Sequence, residues 1–300
     1  MSRIGFSSVP PRLVLGTAQM AGGYGLGQHP PPSVDAVREL LRAARECGVT
    51  EIDTAIEYGA AEVLLGIAGV SDLQVATKIR LPRSLASRTE VKSWVVDSVT
   101  GALSRLGVAQ LRSVLVHRVE DLAGPLGGDL VESLEGIVAS GLAARAGLSC
   151  YEPGDLRYAE IFDGTVTLQI PLNVLDRRFE SCLESAECGA KQREYQIRSV
   201  FLQGVLSSSR ADAQRWFGNL HPDLDRWFAW CERTGVLPGV AALSAVLMTP
   251  GVDSLVVGVE TPSQLRELSA WANLAPVQVP DLQSLDPDLI DPRRWVRWQP

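Results

Sequence analysis

Four side chains in the first half of the chain carry groups that could act together on one small molecule: the carboxylate of Asp53, the phenol of Tyr58, the amine of Lys78 and the imidazole of His117. Such types hold, donate and accept protons, and a carboxylate beside an amine keeps that amine charged. Each also has a plainer use. Asp53 and Lys78 alone could be a structural ion pair, since a lone buried charge is costly. His117 alone could be a hydrogen-bonded core imidazole, and Tyr58 alone a packing ring with a wet hydroxyl. Placement favours joint use. "TEIDTAI", "LQVATKI" and "LRSVLVH" read as strands, the acid, the amine and the imidazole stand towards their C-terminal ends, and Tyr58 follows on the loop after the first. The plainer uses do not require all four to fall at the same end.

Those three runs belong to a longer series. Strand-like stretches at 12–18, 50–56, 73–79, 111–117, 144–150, 166–172, 197–203 and 254–260 alternate with helical stretches at 33–48, 89–106, 128–140 and 222–249. In 33–48, Val37, Leu40, Leu41 and Ala44 share one face, and Gly48 suits a C-cap. Strands buried on both faces read as continuous apolar runs, and parallel strands need a crossover, usually a helix. Eight such units predict an α/β chain folded as a (β/α)8 TIM barrel, a single domain over 1–300 whose segment 272–300, with Pro276, Pro280, Pro287 and Pro292, is a tail over the barrel. An open doubly wound sheet would carry G-x-G-x-x-G between its first strand and helix. The nearest stretch, "GGYGLGQHPPP" at 22–32, has prolines that stop a helix from opening there and reads as a loop. In a barrel, active residues gather at the C-terminal strand ends, which is where the four side chains fall.

"DTAIEYGAAEVLLG" resembles the D-T-A-x-x-Y-G-x-x-E-x-x-x-G signature of the aldo-keto reductases, and further likenesses follow in order: "VATKI", "VLVHRV", "GLSCYEP", "LQIPLNVLDRR" and "VVGVETPSQLRE". The resemblance covers about residues 12 to 270. It implies an oxidoreductase that moves a hydride between a nicotinamide cofactor and a carbonyl or alcohol, with Tyr58 as general acid/base, Lys78 as its tuner, Asp53 as the partner of Lys78 and His117 orienting the carbonyl. A free tyrosine titrates near ~10. A lysine about 4 Å away is worth on the order of 4 kcal/mol at an effective dielectric near 20, so the expectation is a phenol lowered by up to a few units.

The same resemblance implies a dinucleotide held by Gly16 and Thr17 after the first strand, by Asp53, by Ser149 and Gln169 at the carboxamide, by Arg198, Ser199 and Phe201 in "RSVFLQG", and by Gly258, Glu260 and Gln264 late in the chain. Cys150 stands where the family usually has the carboxamide-binding asparagine, and Arg198 where many members stack a tyrosine. Family habit gives NADP(H) the preference. Local chemistry leaves NAD(H) open, because Gly258, Glu260 and Gln264 offer no cation to a 2′-phosphate, an acid can accept from a free ribose hydroxyl, and Arg266 is the one basic residue nearby. For the substrate, a small carbonyl or alcohol, the pocket loops and the tail carrying Trp295 and Trp298 offer Tyr24, Arg210, Trp216 and Phe217, which would suit a polar, ring-shaped or anionic molecule. The "RSVFLQG" variant resembles bacterial relatives associated with sugar or secondary-metabolite pathways.

Composition excludes several other classes. With 46% hydrophobic and 21% charged residues in 300, the chain can build a sizeable core, and a net charge of −7 without a basic block argues against nucleic acid. No stretch approaches the roughly 20 apolar residues of a membrane span, and "MSRIGFSSVPPRLVLGT" lacks the apolar run of a leader, so a cytoplasmic protein is expected. Cys47, Cys150, Cys182, Cys188 and Cys231 show no C-x-x-C pair and predict no structural disulfide. His29, His117 and His221 are too isolated to assemble a metal site, so no metal is expected. Neither G-x-S-x-G nor a phosphate loop occurs. The remaining alternative is a redox-neutral member of the same fold, epimerising or eliminating, or a non-catalytic nicotinamide-binding module.

Overall fold

The computed structural model describes residues 12–22, 30–186 and 192–295. Eight parallel strands, β1 (Arg12–Gly16), β2 (Glu51–Asp53), β3 (Gln74–Ile79), β4 (Ser113–Val116), β5 (Ala146–Ser149), β6 (Val166–Pro171), β7 (Arg193–Arg198) and β8 (Ser254–Gly258), pair in sequence order. β8 closes on β1, with Gly258 opposite Gly16. The chain is thus a (β/α)8 barrel. The β2, β4, β5 and β6 strands are buried at every residue, as parallel strands covered on both faces are, polar Glu51, Asp53, Thr167 and Gln169 included.

Around the barrel run α1 (Val34–Glu46), α2 (Ala61–Ala68), α3 (Arg88–Leu106), the short α4 (Glu120–Ala123), α5 (Gly127–Ala139), α6 (Glu180–Ala186), α7 (Arg210–Phe217), α8 (Pro222–Thr234), α9 (Pro238–Leu247), α10 (Pro262–Ala272) and the short α11 (Pro287–Ile290). The α1 helix starts where Ser33 accepts the Ala36 amide at 3.2 Å, and it buries Val37, Leu40, Leu41 and Ala44 as its spacing predicts. Between β5 and β6 the connection is a 3₁₀ segment, Pro153–Ile161.

Two elements differ from the sequence expectation. The strand expected at 197–203 lies earlier, at Arg193–Arg198, because the chain turns at the barrel rim: Ser199, Leu202 and Gln203 take φ of 62°, 45° and 59°. The apolar residues of "SVFL" therefore serve the turn and not the sheet. The single helical stretch expected at 222–249 is two helices. Gly235 ends α8 in the left-handed region at φ 69°, and Pro238 opens α9 with a fixed φ and no amide to waste.

Packing forms a main core between barrel and helices and a second cluster near the chain's end, where Leu282, Leu289 and Ile290 meet Leu202, Leu206, Trp227 and Phe228. Inside the barrel the filling is partly polar. Gln169 donates to Asp53 at 2.8 Å, Gln196 donates to Glu51 at 2.7 Å, and Arg112 reaches Glu194 at 2.7 Å. Glu194 also takes Arg12 at 3.0 Å and Arg145, so three strand-entry arginines converge on one carboxylate at the N-terminal mouth.

Candidate active site

The site begins with two signature residues that do no chemistry. Glu62 on α2 is buried and accepts from Thr77 on β3 at 2.7 Å and from Arg105 on α3 at 2.8 Å. One turn later, a Cβ on Gly66 would overlap the Arg105 carbonyl oxygen, so only glycine lets α2 lie this close to α3. These contacts fix the start of α2, and with it the loop that carries Tyr58 to the rim.

Asp53, at the end of β2, receives the Lys78 ammonium on both oxygens, at 2.7 and 2.6 Å. Lys78 also donates to the Thr54 carbonyl at 3.1 Å and is almost completely buried. Its nitrogen stands 5.2 Å from the centre of the Tyr58 ring, and the His117 ring meets that of Tyr58 edge-on at 5.8 Å. The four groups are thus brought together, although no hydrogen bond joins the Tyr58 hydroxyl to Lys78 or His117 among the described residues. Thr17 holds β1 against this rim by donating to the Asp53 carbonyl at 3.0 Å.

Electrostatics departs from the expected tuning. Burial first, then the Asp53 carboxylate, push the Tyr58 phenol above its ordinary value instead of below it. The physical reason is that taking the phenol out of water disfavours its charged form, and the Asp53 carboxylate adds to that. Burial and the neighbouring Lys78 and arginine charges depress His117 from 6.5 to about 3, which makes it a neutral imidazole at ordinary pH. Glu57, which the sequence reading did not single out, lies 2.9 Å from His117 Nδ1 without the geometry of a hydrogen bond. Its adjacency to Tyr58 on a rim loop was the available signal.

Tyr58, Asp53 and Gln169 line a cleft of about 510 Å³. Gly16, Thr17, Arg198, Ser199, Phe201, Gly258, Glu260 and Gln264 line it as well. Ser149 and Cys150, the other two residues expected here, are buried and do not line it. Cys150 belongs to the apolar core, its thiol pushed up by burial, and its carbonyl accepts Arg198 Nη2 at 2.8 Å. Arg198, not Cys150, therefore faces the cleft, with its guanidinium against the Tyr151 ring at 4.2 Å. Gln264 spends its side-chain oxygen capping α10, accepting the Glu260 amide at 2.8 Å. Glu267, one turn beyond it, lines the cleft too; its i+3 spacing from Gln264 was a usable signal.

Of the expected substrate contacts, Trp216 lines the cleft. Arg210 is paired with Asp225 and Glu232, and Phe217 packs edge-on against Trp295. Tyr24, His29, Cys188 and Trp298 lie outside the described residues. Among the described residues Cys47, Cys150 and Cys231 are free thiols, and no helix is long and apolar enough to cross a membrane.

The cleft's lining suits a dinucleotide. Its volume is in the range of small-molecule sites, the buried Gln19 Oε1 and Arg198 Nε in its wall have no protein partner, and Gln19 packs so closely over Gly258 that a Cβ there would overlap it.

Comparison with known proteins follows the same line. The model of the aldo/keto reductase family matches residues 12–287. Among solved structures, a glycerol dehydrogenase from Gluconobacter oxydans superimposes with a TM-score of 0.69 at 20% identity, over 92% of this chain and 90% of that one. An aldo-keto reductase from Bacillus halodurans, in its holo form, gives 0.67 at 19% identity, over 89% and 88%. At these identities the structures establish the shared fold. No curated protein matches the chain.

Proposed function

Because the chain belongs to the aldo/keto reductase family, we propose that this oxidoreductase transfers a hydride between a nicotinamide cofactor and a small carbonyl or alcohol, with Tyr58 as the proton donor in reduction. The observation that carries the reading is a phenol kept in its protonated form in the wall of a cleft, beside a buried Lys78–Asp53 pair and a neutral imidazole. A carbonyl that gains a hydride must gain a proton on oxygen, and the donor must still carry that proton at working pH. The raised Tyr58 meets that demand. As charge grows on the phenolic oxygen, the Lys78 ammonium, held in place by Asp53 and the Thr54 carbonyl, is positioned to stabilise it. Neutral His117 offers a ring nitrogen that can orient the carbonyl oxygen. A bound nicotinamide would supply the hydride; Gln169, Arg198, Ser199 and Phe201 would hold its reactive end, and Gly16 and Gly258 would let the backbone approach it.

The test is loss of reduced-cofactor absorbance with a panel of aldehydes and ketones, with Tyr58→Phe alongside. We expect turnover in the variant to fall by about 10²- to 10⁴-fold with cofactor affinity kept. Undiminished turnover would remove Tyr58 from the chemistry. Cofactor binding without consumption in the parent would instead favour the redox-neutral or binding-only alternative.

For the cofactor's adenosine end the reading turns from NADP(H) to NAD(H). Glu260 and Glu267 line the cleft, Arg266 is paired with Glu46 at 2.7 Å, and Arg198 is the only cation among the described residues lining it. Two carboxylates repel a 2′-phosphate and can accept from a ribose hydroxyl. Fluorescence titration should give a dissociation constant for NADH about tenfold or more below that for NADPH, with Glu260→Arg narrowing the gap. Tighter NADPH binding by the parent would refute the assignment.

A further inference from the structure

A second concavity, of about 500 Å³, lies on the same rim, between the loop leaving β3 and the segment with α4 that follows β4, and it shares no lining residue with the cleft. Arg80, Arg83 and Arg118 line it against a backing of Leu85, Pro125 and Leu126. These arginines are unlike most others in the chain. Among the described arginines only Arg83, Arg118 and Arg233 make neither an ion pair nor a side-chain hydrogen bond, and two of those three face this one pocket. Arg80 has only a long contact with Glu57, 3.6 Å, and Glu57 is shared with His117 at 2.9 Å. Two acids, Glu120 and Asp121, also line the pocket, but Asp121 spends one oxygen on the Leu81 amide at 2.8 Å, so three guanidiniums outnumber the carboxylates.

An unpaired guanidinium presents a planar fork of donors that fits the oxygens of a phosphate or carboxylate, and an apolar backing suits a small carbon body attached to one. The position adds a link to the proposed chemistry. Arg80 and Arg118 directly follow Ile79 and His117, and Glu57 joins Arg80 to His117, so a group held here would sit beside the catalytic rim.

We propose that this pocket binds an anionic group, a phosphate or a carboxylate, borne either by the distal end of the substrate or by a separate small anion acting on the rim through Glu57. The substrate arm rests on the proposed hydride transfer; the binding itself does not.

Inorganic phosphate is titrated by calorimetry into the full-length protein at fixed ionic strength, and into Arg83→Ala/Arg118→Ala and Arg83→Lys/Arg118→Lys double variants whose folding is checked by circular dichroism. Saturable binding is expected, weakened about tenfold or more by the alanines and less by the lysines. This result decides the site without any turnover, so it stands even if the protein reduces nothing. Turnover then decides the source: a higher kcat/KM for glyceraldehyde 3-phosphate than for glyceraldehyde, lost in the alanine variant, assigns the anion to the substrate. Equal use of the two, with free phosphate altering glyceraldehyde turnover in the parent only, assigns it to a separate anion. No saturable heat from the parent, or variants that bind phosphate as tightly as the parent, would overturn the proposal.

Discussion

His117 shows most directly how burial sets the state of a single group. Its folded pKa is depressed to about 3, while the unfolded imidazole keeps an ordinary value near 6.5. Between those values the unfolded chain binds a proton that the folded chain does not, so stability is full above pH ~6.5 and falls as pH drops through that window. Between pH 7 and 5 the parent should lose about 2 kcal/mol more than a His117→Gln variant does, read from urea midpoints at each pH. Parallel losses would mean that the folded imidazole protonates freely. Tyr58 shifts away from its charged form for the same reason, burial, reinforced by Asp53. The types of these residues were legible in the sequence; the direction of the Tyr58 shift was not, because it depends on how deeply the fold buries the phenol and how near it brings Asp53.

At the scale of elements, the "DTAIEYGAAEVLLG" stretch divides into a chemical half and a structural half. Asp53 and Tyr58 face the cleft, whereas Glu62 and Gly66 dock α2 against β3 and α3. Gly66→Ala should cost about 1–3 kcal/mol, since its methyl can be accommodated only by displacing the helix from the Arg105 carbonyl. Because α2 anchors the Tyr58 loop, kcat should fall while the cofactor dissociation constant holds; a variant with unchanged melting temperature and kcat would show that α2 does not set the loop. The strand misplaced by sequence reasoning, β7, fails for a related reason: "IRSVFLQ" has strand-like residues throughout, and only closure of the barrel dictates that the chain turns after Arg198.

Across the whole molecule the two mouths of the barrel have different work. The C-terminal mouth gathers the proposed chemistry, and the N-terminal one is closed by Glu194 with Arg12, Arg112 and Arg145. Glu194→Gln removes the carboxylate those guanidiniums share, leaving the largely buried Arg112 only a longer contact of 3.8 Å with Glu51. The expected loss is on the order of 2–3 kcal/mol, at the lower side for a broken buried pair because Arg12 and Arg145 keep contact with water. NADH affinity should be unchanged in the same variant at a temperature where it is folded. Loss of affinity in step with stability would place the mouth network in the site after all.

The sequence by itself determined the barrel, its order of strands and the joining of Asp53, Tyr58, Lys78 and His117 at one rim, because hydrophobic periodicity and strand-end position are local properties of the chain. The tertiary structure decided what no local pattern contains. It turned Cys150 into the core and Arg198 towards the cleft, matched Lys78 with Asp53 at hydrogen-bond distance, paired Arg266 with Glu46, and left Arg83 and Arg118 facing a pocket unpaired. Each of these depends on distances between residues far apart in the chain, and charge states follow distance and burial rather than residue type.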